Sequence, residues 1–190
     1  VRKARTHSFL MSTSPQYTRV HRTLNRYDKP SHPPMFCMFL RKHLEGGLIT
    51  SIKQHGNDRV ITFTLRTTND LGDRTEKQLI FEAMGKDANI IVTDENDKIL
   101  ECLKHTGPFD GQSRTMIPTA IYHYPNDTRI NPFDEKEVKA FFQKNAPKSI
   151  HDLIKHFSGI SPLFVKEFFH RNQVTNNPSE IFKTMLNEEH

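Results

Sequence analysis

The stretch "GNDRVITFTLRTTNDLGD" (Gly56–Asp73) holds one strand between two turns. Gly, Asn and Asp cluster at "HGND" and "NDLGD", where turn chemistry wants them, and Arg59–Arg66 between them is rich in β-branched and aromatic residues. The same grammar extends outward. Leu48–Gln54 precedes the stretch, and Lys77–Met84, Asn89–Thr93 and Ile99–Leu103 follow it, separated by "GKDA" and "DENDK". Such tight spacing predicts a meander, in which successive strands are antiparallel neighbours. In a meander the start of Arg59–Arg66 lies beside the end of Lys77–Met84. Asp58, Arg59, Glu82, Met84 and Lys86 are therefore expected around one rim. An acid there accepts hydrogen bonds, and Arg donates or stacks on a base. The plainer reading of the same residues is a charged strand end with a surface ion pair worth ~0–1 kcal/mol.

Upstream, "SFLMST" and "YTRVHRT" read as two short strands around a Ser14-Pro15 turn. The second strand puts Tyr17, Arg19 and His21 on one face and Thr18, Val20 and Arg22 on the other. Cations interleaved with an aromatic suit RNA, and a solvated edge strand carries the same pattern. Arg19 and Arg22 are candidate phosphate contacts. "KPSHPPMFCMFLRKHLEGG" predicts a helix with Pro33 and Pro34 in its first turn and Gly46-Gly47 at its exit. Met35, Phe36, Met38, Phe39 and Leu44 form its apolar face, expected in the core. Arg41, Lys42 and His43 complement the negative end of the helix dipole.

After the strands, "HTGPFDGQSRTMIPTAIYHYPNDTRINPF" is rich in Pro and Gly and reads as irregular, and its end is taken as a domain boundary. This divides the chain into a β-rich domain, 1–132, and a helical domain, 133–190. In the latter, "DEKEVKAFFQKN" has Asp134 and Glu137 in capping-box spacing. Ser149 caps "SIHDLIKHF", Ser161-Pro162 opens "SPLFVKEFFHR", and Asn177-Pro178 opens the last helix. "LIKHFSGISPLFVKEFF" looks like a helix-hairpin-helix element. Gly159 supplies the tight turn and Ile160 can plug between the helices. Free N–H groups near Ser161 can hold a phosphate oxygen, with Lys155 and His156 near enough to assist. A plain αα-hairpin has the same pattern.

Composition agrees with a folded chain of one or two domains. There are 190 residues with fourteen Phe, long enough for a real core. The net charge of +5 is unevenly placed: residues 1–29 carry +6, and the rest of the chain −1. Residues 1–29 carry seven Lys or Arg against Asp28 alone, as expected of a surface that attracts polyanions. Cys37 and Cys102 are far apart, which fits a reducing compartment better than a disulfide scaffold. The start, "VRKARTHSFL", has no apolar h-region, and a chain opening at Val1 reads as a fragment. No run is long enough to span a bilayer. Walker, G-x-S-x-G and H-E-x-x-H motifs are absent, as are Cys clusters. "DENDK" is too short for a calcium loop, and the eleven His show no ligand spacing. No enzyme activity, cofactor or metal is expected.

Several motifs occur together in a fixed order: "PPMFCMFLRKHLEGG", "GNDR", "LGD", "LIFEAMGKDANIIVTD", "KH", "SRTMIP", the two tyrosines before Pro125, and "NPF". In this order and spacing the chain resembles the NFACT family, the RqcH-type ribosome quality-control factors whose bacterial members are often labelled fibronectin-binding protein A. The resemblance implies an α+β fold. It comprises a β-sandwich like the N-terminal domain of formamidopyrimidine-DNA glycosylases, without glycosylase chemistry, followed by a helix-hairpin-helix domain. It also implies that the family's first segment is missing before Val1, and its coiled coil and C-terminal domain after His190. Members of the family bind large ribosomal subunits obstructed by peptidyl-tRNA. They recruit charged tRNA, alanyl-tRNA in bacteria, for untemplated tailing of the stalled chain. Cytoplasmic, ribosome-associated work is implied; the family label offers a fibronectin- or fibrinogen-binding surface adhesin as the alternative. The family's Asp-Arg motif falls on Asp58 and Arg59. Its tRNA-facing E-I-M-G-R-H-S-N segment falls on Glu82–Asn89, where Ala83, Lys86, Asp87 and Ala88 depart from the pattern.

Overall fold

A computed structural model describes residues 6–69, 71–110, 114–125, 128–173 and 177–188. The chain forms two compact units. One comprises Val1–His55 and Arg59–Tyr124; the other comprises Gly56–Asp58 and Pro125–His190. The boundary expected after residue 132 moves back to Tyr124. The reason is local: Ile130 N–H donates to His156 O at 2.7 Å, Ser158 N–H donates to Ile130 O at 2.9 Å, and Pro132 is buried. The segment before 132 is thus already stitched to the helices.

In the first unit, β1 (Ser8–Ser12) and β2 (Arg19–Thr23) form an antiparallel ribbon. Helix α1 (Met35–Leu44) follows. Then β3 (Leu48–Gln54), β4 (Val60–Thr68), β5 (Arg74–Glu82), β6 (Asn89–Asp94) and β7 (Ile99–Cys102) form a five-stranded antiparallel meander in chain order. The expected sheet is therefore present, as one broad sheet and a separate ribbon. Strand β5 starts and ends earlier than Lys77–Met84. Asn69 Oδ1 accepts from Leu71 N–H at 3.0 Å and Asp73 N–H at 2.8 Å, which tightens the turn so that pairing begins at Thr68↔Arg74. At the other end, Met84 leaves the strand to open a 3-10 turn over Gly85–Asp87.

Register explains the core. Thr62, Ile80, Ile91 and Cys102 lie in one row across β4 to β7, and Val60, Glu82 and Asn89 lie in the row beside it. These rows share a face, because directly paired residues point the same way. Residues 114–124 cover them, with Met116 and Tyr122 packed against Val60, Ile80, Ile91, Ile99 and Cys102. The opposite face carries Phe63, Leu65, Thr67 and Lys77. There, buried Lys77 donates from Nζ to Thr67 Oγ1 at 3.0 Å and to His43 O, in the last turn of α1, at 3.5 Å. A cation at a helix C-terminus is where the dipole favours it. The apolar face of α1 is less covered than its periodicity suggests. No α1 residue is buried, and Met35 is 87% exposed. Periodicity specifies a face but not what covers it.

The second unit holds α2 (Glu135–Lys144), α3 (Ile150–His156), α4 (Pro162–Asn172) and α5 (Pro178–Glu188). The expected caps are in place. Asp134 accepts from Lys136 and Glu137 N–H, Ser149 and Asp152 form a reciprocal capping box, and Ser161 Oγ accepts from Phe164 N–H. Phe182 sits at the centre of an aromatic core, with ring centroids of Phe142, Phe157, Phe164 and Phe168 between 4.8 and 5.7 Å away. Among the described residues no helix is long and apolar enough to cross a membrane.

The core of the sheet unit holds two acids in neutral form. Burial first, then the Glu101 charge, pushes the Cys102 thiol from 9.0 up to about 12. Burial first, then the Glu82 carboxylate, raises the Tyr122 phenol well above 10.0. The unfolded chain ionises both groups sooner, so their contribution to stability is complete below pH 9 and is lost as pH rises above it. Chemical denaturation from pH 7 to 10.5 should show a decline beginning near pH 9, and Cys102→Ala should remove its first part.

Candidate nucleic-acid interface

The backbone brings Arg59 to the end of β5. Val60 pairs with Glu82, and Ala83 N–H donates to Arg59 O at 2.8 Å, so Arg59 adjoins the end of β5. Arg59 is exposed, Met84 is half-buried against the Val60–Tyr122 cluster, and Lys86 is exposed at the 3-10 turn. Asp58 is half-buried and belongs to the helical unit.

Glu82 requires a correction. It is 1% exposed and faces inward. Its Oε1 and Oε2 accept from Arg114 Nη1 and Nη2 at 2.7 and 2.8 Å, and Tyr122 Oη donates to Oε1 at 2.8 Å. This fork satisfies a carboxylate that burial would otherwise penalise by several kcal/mol. Burial works against the Arg114 charge too, but the Glu82 bond outweighs it and raises the guanidinium pKa. Asn89, at the far end of the same segment, is also internal. Its Nδ2 donates to Lys104 O at 2.8 Å and its Oδ1 accepts from Lys104 N–H at 2.9 Å. Both ends of Glu82–Asn89 are thus clamps that present the exposed Lys86-Asp87 turn between them.

The turn also meets the basic ribbon. Lys104 Nζ donates to both Lys86 O and Thr13 O at 3.4 Å, and Thr18 Oγ1 donates to Gly85 O at 3.4 Å. Arg19, the neighbour of Thr18, is exposed and donates from Nη1 to Tyr17 O at 2.9 Å. Arg19 and Lys86 therefore belong to one basic region of the sheet unit. Arg22 is exposed three residues further along β2, opposite Phe9. The basic residues at 2, 3 and 5 lie outside the described residues.

In the helical unit the turn at Gly159 has a use that spacing did not reveal. Its φ is +69°, and a Cβ there would stand 3.0 Å from Asn57 O and 3.1 Å from Asn57 Cβ. Asn57 in turn donates from Nδ2 to Asn131 Oδ1. Asn57, the residue before Asp58, is thus seated on the helical hairpin. Ile160 packs on the helical core, as a plug would. Lys155 and His156 are exposed at the end of α3, with His156 Nδ1 2.6 Å from Asp152 O. Ser161 serves α4 itself. Its hydroxyl takes Phe164 N–H at 3.0 Å, and Pro162 has no N–H, so fewer donors face outward than the sequence suggested.

Among the described residues, only Glu101, Cys102 and His105 bring three potential ligand atoms within 4.8 Å of one another. His105 Nε2 is already 2.6 Å from Glu101 Oε1, and the Cys102 thiol donates to Met116 O and Lys104 O at 3.3 and 3.4 Å. With the thiol protonated, the set is a hydrogen-bonded Glu101–His105 pair beside a buried neutral sulfur.

The family model for NFACT N-terminal and middle domains matches residues 1–188. The chain belongs to the NFACT family. It is 40% identical over 178 residues to the Rqc2 homolog RqcH of Bacillus subtilis, covering 92% of this chain and 31% of that protein. It is 29% identical over 167 residues to the archaeal Rqc2 homolog aRqcH of Methanocaldococcus jannaschii, covering 84% and 24%. The crystal structure of the fibrinogen binding protein from Staphylococcus aureus matches with a TM-score of 0.83 at 36% identity, covering 98% of this chain and 68% of that one. The N-terminal part of the fibronectin/fibrinogen-binding protein from Streptococcus suis matches with a TM-score of 0.82 at 29% identity, covering 96% and 69%. The chain spans about a third of the B. subtilis relative's length. These matches support the NFACT assignment and the mixed architecture of antiparallel sheet and helices.

Gly159→Ala should cost about 1–2 kcal/mol from the left-handed backbone alone, plus the displacement of Asn57. Gly46→Ala is the control, since Gly46 has φ +75° and a methyl group added there would meet nothing within 4 Å. Thermal unfolding should show a larger loss at Gly159, and equal losses would mean that the Asn57 contact is soft.

Proposed function

We propose that this chain is the tRNA- and large-subunit-binding module of a ribosome quality-control factor. In this reading the intact protein engages large subunits obstructed by peptidyl-tRNA and brings in alanyl-tRNA for C-terminal tailing of the stalled chain. The module grips RNA, and bond-making belongs to the ribosome. The observation that carries the reading is NFACT membership with RqcH relatives across most of the chain. Chemistry agrees with it. Exposed Arg59, Lys86 and Arg19 give the sheet unit cationic side chains suited to a polyanion, and Asp58 precedes Arg59 in the chain. Lys155 adds a cation, and His156 an exposed ring, to the hairpin surface. We also infer that the sheet and ribbon correspond to the glycosylase-like sandwich, that the helices form a helix-hairpin-helix domain, and that the factor works in the cytoplasm on ribosomes.

With the full-length protein, alanine tRNA should bind with a log–log salt slope of about −0.7 per neutralised phosphate. The double variant Asp58→Ala/Arg59→Ala should keep its melting temperature and lose tail synthesis. Tails of normal length from a folded double variant would reject the role of this pair, and salt-independent or absent tRNA binding would reject the reading as a whole.

A second reading has its own observation: two structural relatives bear the names of fibronectin- or fibrinogen-binding proteins. In that reading the chain is part of a surface adhesin. Quantifying the intact protein in cytosolic, ribosomal and surface fractions separates the two, with the ribosomal fraction expected to dominate during translational stalling.

A further inference from the structure

We propose that Glu82, Arg114 and Tyr122 form a positioning network that fixes the Arg59 rim, and that Glu82 influences RNA only through this network. The inference rests on the reading of the module as RNA-binding. Glu82 occupies a stretch that the sequence offers as a contact surface, yet it is 1% exposed. Both of its oxygens are engaged by the Arg114 fork at 2.7 and 2.8 Å, and one also accepts from Tyr122 Oη at 2.8 Å. A carboxylate so placed cannot reach a phosphate-bearing partner, and unpaired it would repel one. Pairing with Arg114 cancels that charge beside the rim.

The same bonds transmit position. Arg114 Nη1 also donates to His123 O at 2.8 Å, so one guanidinium ties the end of β5 to segment 114–124 at two places. Tyr122 anchors that segment in the core, and its N–H donates to Asp97 O at 2.7 Å. Glu82 pairs with Val60, and the next amide, Ala83 N–H, donates to Arg59 O at 2.8 Å. Arg59 is thus held by the residue adjoining Glu82. A second brace acts from the other side. Tyr124 stacks on His55 with ring centroids 4.0 Å apart and shares a hydrogen bond with Thr62 at 3.1 Å, while His55 N–H donates to Val60 O at 2.9 Å. The backbone around Arg59 is therefore set by contacts from residues 114–124, far away in sequence. A planar fork is required for this, because Lys would keep the charge but lose the bidentate geometry.

The test is a double-substitution cycle in the full-length protein: Glu82→Gln, Arg114→Lys and both together, read by amide hydrogen exchange and by alanine tRNA affinity. Each single variant should speed exchange at Ala83 by about tenfold while mid-strand amides such as Ile80 keep their protection. Each should weaken tRNA about tenfold, and the double should be no weaker than the worse single, since both substitutions break one network. Tyr122→Phe keeps the ring and removes only the hydroxyl. It should give the same pattern at smaller amplitude, and it decides the case if another variant fails to fold. Additive affinity losses, or weaker tRNA binding by Glu82→Gln with Ala83 exchange unchanged, would mean that Glu82 meets RNA directly and would overturn the proposal. A wild-type protein that ignores tRNA would defeat the functional reading, and the exchange arm would still decide whether the network holds the rim.

Discussion

An ionised carboxylate can sit at the inner face of a sheet only if its partners come with it. Glu82 meets that requirement through Arg114 and Tyr122, and the arrangement organises much of the sheet unit. Residues 114–124 hold no helix or strand, yet they must follow one path to deliver a guanidinium and a phenol to the same two oxygens. That path also lays Met116 and Tyr122 over the row of Val60, Ile80 and Ile91. Breaking such a pair by removing one partner costs about 3–5 kcal/mol, far more than a surface ion pair contributes. A polar requirement and an apolar one are met by the same irregular stretch.

The helical unit solves a different problem with a glycine. At Gly159 the left-handed backbone and the missing side chain are both used, the first to turn the chain and the second to admit Asn57. Around it, Phe157, Phe168 and Phe182 are fully buried and supply the packing, while Ser149, Asp134 and Ser161 satisfy the exposed helix starts. The division of labour is simple. Aromatic burial supplies the stability, and short polar side chains set where each helix begins.

What could be read in advance follows from how local each cause is. Helix starts were legible at Asp134, Ser149 and Ser161 because a cap acts within three residues. The meander was legible because its turns announce themselves, and its order then placed Arg59 next to the end of β5. The state of Glu82 was not legible, since its partners lie 32 and 40 residues away, beyond β6 and β7. Asn57 against Gly159 was hidden for the same reason. The cover of α1 could not be inferred either, because an apolar stripe does not say how much will pack on it. Family resemblance supplied the residues of the candidate interface, and the fold separated those that face outward, such as Lys86, from those that hold the surface in place, such as Glu82 and Asn89.

The placement of Gly56–Asp58 with residues 125–190 makes the helical unit discontinuous in sequence. A protein so wired resists dissection. A single cut after Tyr124 would free the helices from the sheet but strand the tripeptide on the wrong side, leaving the notch at Gly159 empty. Any attempt to study the helices in isolation would have to supply that missing peptide in trans or graft it back by circular permutation.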